Sequence, residues 1–224
     1  MSIKENYQRI RKEIPGTVTI VLAAKTRSKD EILEAIAAGA TDIGENYVPE
    51  AQRVYSALRE DAKKLRWHMI GHLQKNKINK ALPIFDVIQT VDSYKKAQAI
   101  DKRVKAAGKD IVPVYLEINI GSEMTKVGVK PEYETIKKLI KEMSELKYIT
   151  VEGLMTMGPR FGNPEDSRPY FKKTKEIYER IKALNLPNVD LKTLSMGMSN
   201  SYKVAIEEGS NMVRLGTIIF GERL

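Results

Sequence analysis

Short apolar runs alternate along this chain with segments of helical period. The first run, Thr19-Ile20-Val21-Leu22-Ala23-Ala24-Lys25-Thr26, is rich in β-branched residues. It reads as a fully buried strand whose carboxyl end carries Lys25. A polar helix over residues 2–14 precedes it as an N-terminal cover. Asp30 is expected to cap the next helix, with Ile32, Leu33, Ile36 and Ala37 on its apolar face and Gly39 at its end. A brief strand at 41–44 leads through Glu45-Asn46-Tyr47 to a helix that places Ala51, Val54, Tyr55 and Leu58 on one side. Trp67-His68-Met69-Ile70-Gly71 reads as a third strand and residues 73–81 as a basic helix.

The pattern then repeats. A strand over 86–91 precedes a helix with Ala97, Ile100, Val104 and Ala107 at helical spacing, closed by Gly108. The fifth strand spans 114–120, with Pro113 at its start, where a missing N–H is tolerated. A polar loop at 121–128 follows, then a helix with Pro131 in its first turn and Ile136, Leu139, Ile140 and Met143 along one face. Strand six, 149–155, is followed by a Gly- and Pro-rich loop over 158–169 and a helix carrying Phe171, Thr174, Ile177, Tyr178, Ile181 and Leu184. Strands at 191–194 and 212–215, separated by a short helix to Gly209, complete the set. Strict alternation of strand and helix implies a parallel sheet, and eight units in 224 residues favour one closed (β/α)8 TIM-type barrel over 1–224, with an extra N-terminal helix. The competing architecture is a doubly wound open sheet. No G-x-G-x-x-G or G-x-x-x-x-G-K-[ST] is present, which removes the usual dinucleotide and P-loop readings.

Composition changes this picture little. No apolar run is long enough to span a bilayer, and the start of the chain lacks the apolar core of a secretion signal, so the expected place is the cytoplasm. With no cysteine, disulfides and thiolate metal sites are excluded. The net charge of +9 is spread over lysines interleaved with acids on helix faces, without a nucleic-acid-binding motif. It reads as a solvated surface with a mild attraction for phosphorylated ligands.

Barrel enzymes build their sites at the carboxyl ends of the strands, and often bind phosphate on the loops after strands seven and eight. Lys25, Asn46, His68, Ser199 and the segment from Arg214 to Thr217 all fall at that face. Lys25 is either a strand-end charge reaching solvent or a partly buried amine able to attack a carbonyl. The Ser199 hydroxyl and the backbone N–H groups near Gly216 and Thr217 suit an anion; otherwise Ser199 is a helix cap and Gly216-Thr217 an ordinary turn. Arg214, inside an apolar strand, needs a partner: Glu117 or Glu152, or a ligand acceptor. Asn46 binds a ligand or caps a helix. His68 and His72 are four apart, but Gly71 breaks the helical geometry that a metal pair would need, and no third ligand is evident.

Several segments in order resemble the pyridoxal phosphate homeostasis proteins, which look like the barrel domain of alanine racemase standing alone. They are Leu22-Ala23-Ala24-Lys25-Thr26, Gly44-Glu45-Asn46-Tyr47, Trp67-His68-Met69-Ile70-Gly71, Glu152-Gly153-Leu154-Met155, Leu194-Ser195-Met196-Gly197-Met198-Ser199 and Val213-Arg214-Leu215-Gly216-Thr217. The resemblance implies pyridoxal 5'-phosphate as cofactor, held as a Schiff base (an internal aldimine) on Lys25. Ser199, Gly216 and Thr217 would hold the phosphate and Arg214 would face the pyridine nitrogen. Asn46, His68 and Met196 would line the pocket. Ala24 stands where the family usually has serine before the lysine. The resemblance further implies a monomeric carrier and regulator of vitamin B6 and amino-acid pools, without robust catalysis, that passes the cofactor to apo-enzymes. Racemases of the related fold take a second acid/base, a tyrosine, from a C-terminal β domain that does not follow Leu224 here. The alternatives are a cryptic racemase, with a residue such as Tyr47 supplying the second proton, and a cofactor-free Schiff-base aldolase.

Overall fold

The computed structural model describes residues 2–121, 128–158 and 162–222. Eight strands, β1 (Thr19–Ala23), β2 (Asp42–Glu45), β3 (Arg66–Met69), β4 (Val87–Val91), β5 (Val112–Ile118), β6 (Ile149–Thr156), β7 (Val189–Ser195) and β8 (Met212–Leu215), close in sequence order into a barrel. Every neighbouring pair is parallel, and β1 pairs with β8, so the open-sheet alternative is set aside. Around it lie α1 (Ile3–Glu13), α2 (Lys29–Ala37), α3 (Val48–Leu58), α4 (Ile78–Ala81), α5 (Tyr94–Val104), α6 (Tyr133–Ser144), α7 (Arg168–Lys182), α8 (Tyr202–Glu207) and α9 (Thr217–Phe220).

Strand alternation divides the core in two. Ile20, Leu22, Ile88, Val114, Leu116, Leu154, Val213 and Leu215 belong to the large cluster that packs under the helices. Their chain neighbours Val21, Val87, Tyr115, Met155 and Met212 form a separate cluster, which a period of two places inside the barrel. Polar side chains share that interior: His68, Gln89, Ser195 and Arg214 are all buried. The chemistry of the fold is concentrated there, because each such group needs a partner away from water.

Local expectations were revised in several places. Ser28, not Asp30, caps α2, and it forms a reciprocal capping box with Glu31. Asp30 lies within the first turn, Ala35 is buried in place of Ala37, and Gly39 ends the helix at φ +99°. Residues 73–81 contain a 3-10 turn, Lys75–Lys77, and the single turn α4 in place of one helix. Pro113 is the second residue of β5, and Pro131 precedes the Glu132 cap of α6. The loop expected over 158–169 is shorter, since a 3-10 turn at Pro164–Ser167 leads directly into α7. Of that stretch, 159–161 lie outside the described residues, as do 122–127 of the polar loop expected at 121–128.

Candidate functional site

A cavity of about 870 Å3 opens at the carboxyl ends of the strands. Lys25, Asn46, Ser199, Arg214, Gly216 and Thr217 all line it, although they come from four separate parts of the chain. His68 and Met196 do not line it. Met196 packs in the core under the helices, and His68 stands at the level of Gly44, deeper in the barrel. Ile70, two residues on and just past the end of β3, reaches the cavity. Arg27, Met157, Met198 and Asn200 complete much of the wall, and no pattern in the sequence singled them out.

Lys25 follows β1 in a tight turn closed by Arg27 N–H donating to the Ala24 carbonyl at 2.9 Å. Thr26 sits at φ +68°, left-handed backbone that a β-branched residue rarely adopts. Such strain costs about 1–3 kcal/mol and persists only where the surroundings impose it. Here the Glu50 carboxylate of α3 accepts the Thr26 N–H and pins the turn. Asn46 is fixed differently. A Cβ on Gly71 would stand 2.3 Å from the Asn46 carbonyl oxygen and 2.6 Å from its Cα, so only glycine allows the two loops to meet. Gly71→Ala is expected to push Asn46 out of the cavity wall and to destabilise the fold by roughly 1–3 kcal/mol, measured by urea unfolding. An unchanged midpoint would show that the approach relaxes freely.

The loops after β7 and β8 meet at Ser199. Its Oγ accepts the N–H groups of Gly216 and Ile218 at 3.3 and 3.4 Å. Ser199 is therefore not the N-cap of α8, which is Ser201, but serves the first turn of α9 from outside that helix. The geometry of the preceding loop rests on Gly197, which has φ +94° and whose Cβ would stand 2.6 Å from that of Ala205. A hydroxyl, a threonine and two convergent N–H donors thus face one point of the cavity, and long bonds between them are easily given up to an anion.

Arg214 lies between this cluster and the barrel interior. Nη1 donates to the Ser195 carbonyl at 2.9 Å and to Ser195 Oγ at 2.6 Å, and Nη2 donates to the Thr156 carbonyl at 2.8 Å. Among the described residues these bonds use three of the five guanidinium donors, and Arg214 also lines the cavity. Burial lowers its pKa to about 10, opposed by the charge of Glu117, so it is a cation at neutral pH. Of the two expected partners, Glu152 instead pairs with Lys192 at 2.9 Å. Glu117 makes no ion pair with Arg214 among the described residues and acts through its field alone. Glu117 is itself raised to about 7 by burial and by Asp92.

Other chemistry is thin at this face. Among the described residues no group of three or more His, Asp or Glu is placed to hold a metal, and no helix is long and apolar enough to cross a membrane. Tyr47, weighed above as a proton donor, is 64% exposed and does not line the cavity.

The closed parallel barrel thus gathers a lysine after β1 and hydrogen-bond donors after β7 and β8 at one cavity. The chain belongs to the alanine racemase N-terminal domain family, which matches residues 1–224. It is 43% identical to the pyridoxal phosphate homeostasis protein of Aquifex aeolicus over 202 residues, 90% of this chain and 85% of that one. It is 36% identical to the human protein of the same name over 212 residues, 91% of this chain and 76% of the other. Among solved structures it is similar to PipY of Synechococcus elongatus without PLP (TM-score 0.91, 30% identity, 98% of this chain and 100% of that one). PipY with PLP bound gives a TM-score of 0.88 at 29% identity, with the same coverage. Alanine racemase of Clostridium difficile shares the fold at 18% identity and a TM-score of 0.82, with 99% of this chain matching 57% of that one.

Proposed function

We propose that this protein binds pyridoxal 5'-phosphate at the cavity and acts in the intracellular homeostasis of that cofactor. One observation carries the reading: Lys25, the Ser199–Gly216–Thr217 donors and Arg214 share a single cavity. The names of the relatives, and the PLP-bound structure of PipY, support it. The donor set fits the group. Lys25 offers a primary amine for the aldehyde, and the Ser199 cluster offers neutral donors for the phosphate. Arg214 would offer one of its remaining donors to the ring nitrogen. When bound, the cofactor supplies an aldehyde and an electron-withdrawing ring. A guanidinium only donates, so Arg214 leaves the ring nitrogen without a proton and limits its pull on electrons. Apo-enzymes as recipients, and a monomer as the working unit, belong to the same reading. The racemase alternative is disfavoured by Tyr47, which stands outside the cavity.

Binding titrations followed by near-visible absorbance test the reading. Pyridoxal phosphate is expected to bind and pyridoxal, without the phosphate, to bind far more weakly. Ser199→Ala and Thr217→Val are each expected to weaken the affinity by roughly 1–3 kcal/mol. Wild-type affinity in both would place the phosphate elsewhere. Deuterium incorporation at the α-carbon of amino acids, across a broad panel, would instead favour the racemase.

A further inference from the structure

A continuous line of hydrogen bonds runs through the barrel interior behind Arg214. From Arg214 Nη1 it passes to Ser195 Oγ at 2.6 Å, and from Ser195 Oγ to Gln89 Oε1 at 2.8 Å. Gln89 Nε2 stands 2.9 Å from His68 Nδ1, and His68 Nε2 stands 2.9 Å from Asp42 Oδ1. Thr41 Oγ1 donates to Asp42 Oδ2 at 2.8 Å and ends the line. Apart from Thr41, just before β2, the linked residues come from β8, β7, β4, β3 and β2, and of them all only Arg214 lines the cavity.

The direction of every bond is fixed from both ends. A carboxylate only accepts, so His68 Nε2 carries a proton and donates to Asp42. Burial lowers the pKa of His68, against the pull of Asp42, so its other nitrogen is bare and accepts. Gln89 must then turn its amide N–H to His68 and its oxygen to Ser195. From the other end, Arg214 only donates, so Ser195 Oγ accepts from it and spends its proton on Gln89. All the bonds point from a cation toward an anion, and each polarises the next. Filling the same space with apolar side chains would meet the packing demand alone, as Val21, Val87 and Met155 do beside it, while Met212 Sδ accepts a hydrogen bond from Gln89 Nε2 at 3.3 Å.

We infer that Asp42, His68, Gln89 and Ser195 form a polarised positioning chain that holds the Arg214 guanidinium with its remaining donors toward the cofactor ring. The chain thereby sets the strength of the hydrogen bond to the ring nitrogen. None of the four lines the cavity. This deepens the cofactor reading, and one arm of the test stands apart from it.

The first arm uses the cofactor-free protein and the 15N resonances of the His68 ring. Ser195→Ala lies two hydrogen bonds from His68. It is expected to shift those resonances, and Ser195→Thr, which keeps the hydroxyl, to restore them. The second arm uses the protein loaded with pyridoxal phosphate. Ser195→Ala is expected to retain attachment at Lys25 but to move the pH midpoint of the visible band, and to release the cofactor about tenfold faster. Gln89→Met breaks the next bond and should give the same readings, which keeps the test decisive if Ser195→Ala fails to fold. Unshifted His68 resonances in both variants, or an unchanged band, midpoint and release rate, overturn the inference. A wild-type protein that takes up no pyridoxal phosphate would defeat the cofactor reading, while the His68 resonances would still decide the chain.

Discussion

Lys25→Ala is expected to abolish covalent, borohydride-reducible attachment of pyridoxal phosphate and to leave only weak reversible binding. Lys25 lines the cavity at the end of β1, and the strained turn at Thr26, pinned by Glu50, fixes where its backbone points. Without the amine, the ligand is held by the donors around Ser199 and by Arg214. Hydrogen bonds to a charged group contribute about 1.5–3 kcal/mol each, and association costs at least about 4 kcal/mol. A few such bonds therefore leave a dissociation constant no tighter than about 0.1 mM. Equilibrium dialysis of the variant, with mass spectrometry after reduction, reads both quantities. Covalent label that persists in Lys25→Ala would assign the attachment to another lysine.

Stability is expected to fall as pH rises from about 4.5 to 8, and Glu45→Gln to flatten that slope, most of all above pH 7. Glu45 is fully buried at the end of β2, and among the described residues neither carboxyl oxygen has a hydrogen-bond partner. Burial, with a contribution from the nearby Glu50 charge, raises its pKa from 4.5 to about 8. Between those values the folded chain holds a proton that the unfolded chain has lost, so the unfolded state gains as pH rises. Glu117, raised to about 7, acts with the same sign over the lower part of the window. For Glu45 the effect is on the order of 4 kcal/mol between the two ends. The glutamine amide stays neutral throughout but buries donors without partners, at a cost of about 1–3 kcal/mol. The variant should therefore be more stable than wild type at pH 8 and no more stable at pH 5. Urea unfolding of both proteins at the two pH values measures this. Parallel pH slopes would mean that Glu45 is already ionised in the folded state.

The barrel was legible because its strands are short β-branched runs, buried on both faces, with helical periodicity between them. The places that were missed have separate causes. β7 begins at Val189, before the apolar run, because its first residues pair at the exposed end of the barrel, where polar side chains are tolerated. Pro113 lies inside β5, adjacent to a register shift in the pairing with β6. Ser28 and Glu31 carried a readable capping-box spacing that the neighbouring Asp30 obscured.

The cavity lining was legible where chemistry stands at a strand's end. Lys25, Asn46, Ser199, Arg214, Gly216 and Thr217 meet in one cavity because the fold brings all strand ends to one face. His68 was assigned to the cavity wall one layer too high: a strand period of two gives the face of a residue but not its depth. Met196 was misplaced because it packs under the helices, while Ser195 and Met198 on either side face the interior and the cavity. Gln89 carried a signal, a long polar side chain inside Val87-Ile88-Gln89-Thr90-Val91. Its meaning depends on which strand lies opposite, and that only closure of the barrel reveals.

The measurement that tests the central claim most directly is the near-visible absorbance of the purified protein with added pyridoxal phosphate, before and after borohydride, with peptide mapping of the reduced adduct. The account predicts a visible band that is lost on reduction and a stable label on the peptide containing Lys25. No band after incubation, or a label confined to other lysines, would contradict it.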